Sequence, residues 1–264
     1  MKRTDLIPVF ILLPLLGFVA AQVVRTPGAP ESRATVPVVA RTEAGRLGAA
    51  PAAQPSRAVS SEPLAAAGAM PRDVSEIRER LSAGAAGTYI DEILVERDSA
   101  LARWPERVSH PVRVWVGDGE GITGWSNTFP ARVRGAFQEW SELGIPVRFE
   151  FVADSADADV HVSWIDHFDT PISGKTLWAR DRSWWIVSAN ITLALHHNGG
   201  QSLDDSSVKA IALHEVGHLL GLDHTSDTTD IMTARVRVRD LSNADRATMK
   251  LLYTLPPGSV REGK

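Results

Sequence analysis

The sequence predicts an α+β fold: a mixed, twisted β-sheet, then a helix carrying a metal site, then a closing C-terminal helix. Three observations lead there. Segments of period two, interrupted by one helix near Pro130, fill residues 111–195 and give way to helical period afterwards. His214-Glu215-Val216-Gly217-His218-Leu219-Leu220-Gly221-Leu222-Asp223-His224 reads H-E-x-x-H-x-x-G-x-x-H, a spacing with a metal-binding mechanism behind it. A 264-residue chain that is 44% hydrophobic has room for one ordinary domain plus extensions.

At the N-terminus, Lys2 and Arg3 precede an apolar run from Leu6 to Ala21, and Val19-Ala20-Ala21 has the small residues of a signal peptidase site. Residues 1–21 are therefore expected to be an export signal. The competing expectation is an uncleaved anchor, because Val23 and Val24 lengthen the apolar stretch; Pro8, Pro14 and the short core favour the signal. Either way the rest of the chain is expected outside the cytoplasm, in the periplasm, at the cell surface or beyond it. Residues 22–70, rich in Ala, Pro, Ser, Gly and Arg with no aromatic residue, cannot offset their ordering entropy and are expected to be a disordered linker.

Residues 71–108 read as a helical segment. Asp73 with Glu76 and Thr88 with Asp91 resemble capping pairs. Val74, Ile77 and Leu81 form one stripe; Ile90, Ile93, Leu94 and Leu101 form another that ends at Trp104-Pro105. Such a segment either braces the main domain or covers its cleft as a pro-segment, and amphipathic stripes favour the brace.

Residues 109–256 are expected to form the main domain, with 257–264 as a tail. Val112, Val114 and Val116 alternate as a first strand. The loop with Gly117, Gly119, Gly121 and Gly124 lacks the order of a phosphate cradle. A helix from about Pro130 carries Val133, Ala136, Phe137 and Trp140 on one face and stops before Gly144. Val147, Phe149 and Phe151 make a second strand, and Val160, Val162 and Trp164 a third. A loop with His167 and Asp169 leads to a short strand, Thr176-Leu177-Trp178-Ala179, and Trp184–Val187 and Ile191–Leu195 complete the strand-like segments. Ser202 with Asp205 is expected to cap the metal-site helix.

On that helix, His214 and His218 lie nearly one above the other and can share one metal ion, while Glu215 sits beside the metal rather than on it. Gly221 can take positive φ, end the helix and let the chain return with His224. Three neutral nitrogens leave a fourth tetrahedral position for water, as in a catalytic zinc site. A single helical histidine is usually a packing residue. Three at this spacing reverse that expectation, and on a helix whose Val208, Ile211, Ala212, Leu213, Val216, Leu219 and Leu220 leave little face for water, His214, Glu215 and His218 would be costly unless paired or bound to metal.

Net charge is −4, with the acidic excess after residue 110, so no electrostatic footprint for nucleic acid exists and no polybasic run for anionic lipid. Membrane contact is expected only through an uncleaved N-terminal segment, and the chain is expected to be a monomer. Without cysteine, the site cannot be thiolate and no disulfide can form.

The stretch from His214 to His224, with Asp230-Ile231-Met232 where a Met-turn would fall, resembles the metzincin zinc metalloproteases, and within them the matrixins (peptidase family M10) of bacterial type. Ala136-Phe137-Gln138-Glu139-Trp140-Ser141, Ala158-Asp159-Val160, Gly174-Lys175-Thr176-Leu177 and Leu241-Ser242-Asn243-Ala244-Asp245 are similar to the family's first helix, third strand, edge strand and closing helix. The resemblance implies a metzincin (zincin-like) fold, a catalytic zinc on His214, His218 and His224, Glu215 as general base and Met232 beneath the histidines. It also implies a protein or peptide substrate paired to the edge strand at Thr176, Leu177, Trp178 and Ala179. The family's structural zinc pair is kept as His167-Phe168-Asp169. Its two further positions fall at Ala179 and Thr192, so a second zinc is not expected. Thr233-Ala234 replaces the usual Tyr-Pro after the methionine, and a latency cysteine is impossible. The family also suggests calcium at Asp154, Asp157 and Asp159, but they lack an EF-hand spacing, which favours a solvated acidic loop.

The function expected is thus a secreted zinc endopeptidase. Two alternatives stand beside it: a non-catalytic metzincin-like protein that binds peptide or envelope components, and a zinc hydrolase of a non-peptide amide or ester.

Overall fold

A computed structural model describes residues 73–261. The expected export signal at 1–21, the linker at 22–70 and the last residues of the tail lie outside them. Helix α1 (Val74–Gly84) starts where the Asp73 carboxylate accepts from the N–H groups of Ser75 and Glu76, and it buries Ile77 and Leu81. Helix α2 (Ile90–Glu96) departs from expectation at both ends. Tyr89, not Thr88, stands at its N-cap; the Thr88 hydroxyl donates to the Ala85 carbonyl and accepts only a long 3.4 Å bond from the Ile90 N–H. Asp98 and Ser99 have φ of 54° and 60°, which stops the helix, so Leu101 leaves the helical stripe and enters strand β1 (Ala100–Leu101).

Strand β2 (Arg107–Val116) is followed by α3 (Phe129–Ser141), with Pro130 in its first turn and Gly144 at φ 75° beyond its end. Then come β3 (Val147–Phe151), β4 (Val160–Ile165), β5 (Gly174–Arg180) and β6 (Ile186–Ala194). The two segments expected around Trp184–Val187 and Ile191–Leu195 are one strand preceded by a turn. Trp184 lies in that turn at φ 68°, where the Asp181 carboxylate accepts from the N–H groups of Ser183 and Trp185. Helices α4 (Asp205–Leu220) and α5 (Asn243–Thr254) follow, then the short strand β7 (Gly258–Ser259).

The α+β class is as expected. The main sheet is mixed and has five strands in the order β3-β2-β4-β6-β5. All neighbours are parallel except β5, which runs antiparallel to β6 and forms a free edge. Helices α3 and α4 pack on each other, α3 against β3 and α4 against β5 and β6. Between them lies a core in which Trp104, Phe137, Trp140, Leu213 and Leu219 are fully buried. Residues 77–104 share this core: Ile77, Ile90, Ile93, Leu101 and Trp104 are all buried in it, and β1 pairs antiparallel with β7. No described helix is long and apolar enough to cross a membrane.

Candidate active site

Helix α4 begins two residues later than the sequence suggested. With Asp205 inside the helix, Asp204 stands at the N-cap and accepts from the Ser207 N–H at 2.7 Å, whereas Ser202 forms a bridge with His196. The helix is buried on nearly every side. It ends at Gly221, whose φ of 107° turns the chain. A Cβ on Gly221 would stand 2.1 Å from the Ala102 carbonyl oxygen, so that residue must be glycine for two reasons.

The turn brings three imidazoles together. His218 Nε2 lies 3.1 Å from His214 Nε2 and 3.2 Å from His224 Nε2. Zinc held at ~2.0–2.1 Å by tetrahedral nitrogens needs donors about 3.3 Å apart. Among the described residues this is the only group of three side chains placed to hold a metal. The opposite ring nitrogens fix the tautomers: His214 Nδ1 lies 2.8 Å from the Ile231 carbonyl and His218 Nδ1 3.1 Å from the Leu222 carbonyl. Nδ1 therefore carries the proton and Nε2 offers a lone pair. Burial pulls His214 down to about 4, His218 well below its ordinary value, and His224 down as well. All three are neutral at pH 7 and need lose no proton to bind a cation. The donor chemistry and the spacing both fit zinc.

Glu215 is 4% exposed and points toward the edge strand. The Thr176 hydroxyl donates to its Oε2 at 2.6 Å and lies 3.0 Å from its backbone carbonyl. Gly174, two residues earlier on the same face of β5, leaves space for the carboxylate; a Cβ there would be 2.4 Å from Oε1. Burial pushes the carboxyl up to about 7, against the Thr176 hydrogen bond that lowers it. Leu177, on the opposite face, is 56% exposed. Trp178 lies under the Arg97 guanidinium at 5.3 Å, and Ala179 pairs with Ser188.

Met232 is fully buried, and its Sδ lies 2.3 Å from where a Cβ on Gly217 would stand. Gly217, placed between His214 and His218, lets the thioether approach the helix backbone directly beneath them. A glycine inside a helix costs about 1 kcal/mol relative to alanine, and that cost was the signal in the sequence. The turn containing Met232 is held by its backbone: the Ile231 N–H donates to Asp245 Oδ2 and the Thr225 N–H to the Met232 carbonyl. Asp245 is buried and also accepts from the Tyr89 hydroxyl and the Ser242 N–H. After Met232, Thr233 is buried and Ala234 exposed. A cleft of about 450 Å³ opens beside His224, lined on one side by Asp91, Glu92, Val95 and Glu96 of α2.

The remaining candidates are placed elsewhere. His167 Nδ1 pairs with Asp166 rather than Asp169, and His196 Nδ1 meets the other Asp166 oxygen. His197 meets Ser173, so the adjacent histidines turn to different partners. Ala179 and Thr192 lie at different levels of the sheet, opposite Ser188 and Lys175. Asp154 caps the 3-10 turn at Ser155–Asp157, and Asp159 pairs with Arg113.

Residues 124–254 match the matrixin family. The chain is similar to Metalloendoproteinase 1-MMP of Arabidopsis thaliana, 32% identical over 141 residues covering 46% of this chain and 36% of that protein. It is 32% identical over 127 residues to Metalloendoproteinase 2-MMP of the same plant, covering 46% of this chain and 32% of that one. With Metalloendoproteinase 1 of Glycine max it shares 23% identity over 152 residues, covering 50% and 47%. The chain thus spans between about a third and a half of the length of these relatives. They are plant proteins and lend no support to the bacterial type expected from the sequence.

Proposed function

Residues 124–254 carry a matrixin domain with the α+β metzincin fold, and from that premise we propose that the protein is a zinc-dependent endopeptidase acting outside the cytoplasm. The observation that carries the proposal is the convergence of His214, His218 and His224 Nε2 beside a buried Glu215 tied to the edge strand. His214, His218 and His224 would hold the zinc, which when bound supplies a Lewis acid that acidifies water and polarises a carbonyl.

The chain's own residues do the rest. Glu215 takes a proton from the attacking water at Oε1, the oxygen that Thr176 leaves free, and hands it to the leaving amine. A carboxyl whose burial brings it to about 7 can accept and return a proton near neutral pH. The peptide backbone pairs with the free edge of β5 across Thr176–Ala179, with Leu177 exposed to meet a side chain. Met232 supports the helix beneath the ligands through Gly217. Residues 71–108 act as a brace, and the apolar run at Leu6–Ala21 supports export.

The test is Glu215→Ala. The variant should keep its fold and about one zinc per chain while cleavage of a mixed protein substrate falls at least ~100-fold. Full turnover in the variant would remove Glu215 from the mechanism. Zinc binding without cleavage by the native chain would favour the non-catalytic reading.

A further inference from the structure

The chain between His218 and His224 is gripped by one side chain from outside the matrixin match. Arg97 Nε donates to Asp223 Oδ2 at 2.9 Å, Nη1 to the Gly221 carbonyl at 2.5 Å and Nη2 to the Leu222 carbonyl at 2.6 Å. Its side chain is only 10% exposed. These acceptors bear on two ligands. The Leu222 carbonyl also receives His218 Nδ1, and the Asp223 carboxylate, through Oδ1, receives the His224 N–H. Arg97 therefore shares an acceptor group with each.

The end of α4 explains why a cation belongs there. The last carbonyls of a helix lack intrahelical partners and carry the negative end of its dipole. Leu219 is satisfied by the Trp104 indole and Leu220 by the Tyr253 hydroxyl. Just beyond, the Gly221 carbonyl is taken by Arg97, and the Leu222 carbonyl by Arg97 together with His218 Nδ1. A guanidinium can present donors to two carbonyls and a carboxylate at once, which an ammonium cannot do in a fixed plane. Trp178 of the edge strand lies against the same guanidinium, 5.3 Å from it to the ring centroid, an attractive cation–π contact.

We propose that Arg97 is a positioning residue for the metal site: it fixes the turn that orients His218 and delivers His224, and so sets metal affinity from outside the matched domain. The inference rests on the zinc reading above. Outer contacts that orient metal ligands are typically worth 10- to 100-fold in affinity.

The test uses the full chain with Arg97→Ala and Arg97→Lys, and measures the zinc dissociation constant by chelator competition together with melting with and without zinc. Arg97→Ala should weaken zinc binding by about 10- to 100-fold. Arg97→Lys, which keeps the charge but loses the planar fork, should recover only part of that. The rise in melting temperature on adding zinc should shrink in the same order. A merely structural arginine would lower the metal-free and zinc-loaded melts equally and leave the dissociation constant alone; that result overturns the proposal. Should Arg97→Ala fail to fold, Arg97→Lys decides: a wild-type constant refutes the positioning role. A native chain that binds no zinc would instead overturn the peptidase reading, and this inference with it.

Discussion

Glu215 shows how a residue's neighbours set its chemistry. Burial raises its carboxyl to about 7, and the Thr176 hydroxyl, by donating to Oε2, pulls the other way. In its proposed role as a base Glu215 would work only when ionised, so kcat/KM should fall as pH falls through its pKa. Thr176→Val removes a hydrogen bond that favours the charged form, and the pKa rises. The acidic limb of the kcat/KM profile should therefore move to higher pH, with a large loss of activity at pH 6 and a small one at pH 8. A bound cation lowers the limb of both proteins and leaves the order unchanged. An unshifted limb would show that the hydroxyl does not act on the base. The convergence of His214, His218 and His224, with Glu215 on the same helix, was legible because they lie within one helix and its turn, where spacing fixes geometry. Thr176 could be placed on the edge strand, yet its bond to Glu215 spans 39 residues of sequence. Arg97 and Gly174 share that difficulty: each meets the site through tertiary packing, which periodicity does not encode.

The elements were legible where period and burial agreed, as in β2, β4 and α3, and failed where a side chain or a positive φ overrode the pattern. Asp204 displaced Ser202 as the cap because its carboxylate reaches the Ser207 N–H. Asp98 and Ser99 broke the stripe before Leu101 by adopting left-handed backbone, which neither residue type requires. The stop of α4 was predictable, but its severity was not. Gly221 at φ 107° also packs against the Ala102 carbonyl. In Gly221→Ala the left-handed backbone costs about 1–2 kcal/mol, and contact with a backbone oxygen adds to it. A loss of at least ~2 kcal/mol is expected, with a drop of roughly 4–8 °C in Tm for a domain of this size. A melt within 1 °C or so of wild type would mean that β1 yields easily at this point. Because the same turn carries His224, zinc affinity should fall together with stability.

At the scale of the whole molecule, the fold that carries α4 reaches back beyond the matrixin match. That match begins at residue 124, while Ile90, Ile93, Leu101 and Trp104 are fully buried in the common core. The Trp104 indole donates to Leu219 of α4, the Arg103 guanidinium to the Leu255 carbonyl, and β1 pairs with β7. The segment thus joins the start of the described chain to its end, and both to the metal-site helix. Removing the four buried side chains alone forfeits about 1.5–3 kcal/mol each of apolar burial. That is comparable to the ~5–15 kcal/mol by which a domain is stable at all. A pro-segment must leave without such a loss, and α2, which walls the cleft beside His224, also carries Ile90 and Ile93 into the core. A chain starting at residue 105 should therefore fail to fold cooperatively and bind no zinc, whereas one starting at residue 73 should melt as the reference does. Proteolysis within 97–104 should inactivate the enzyme rather than release activity. An active, zinc-loaded product beginning near residue 105 would reverse the assignment and make the helices a removable cover.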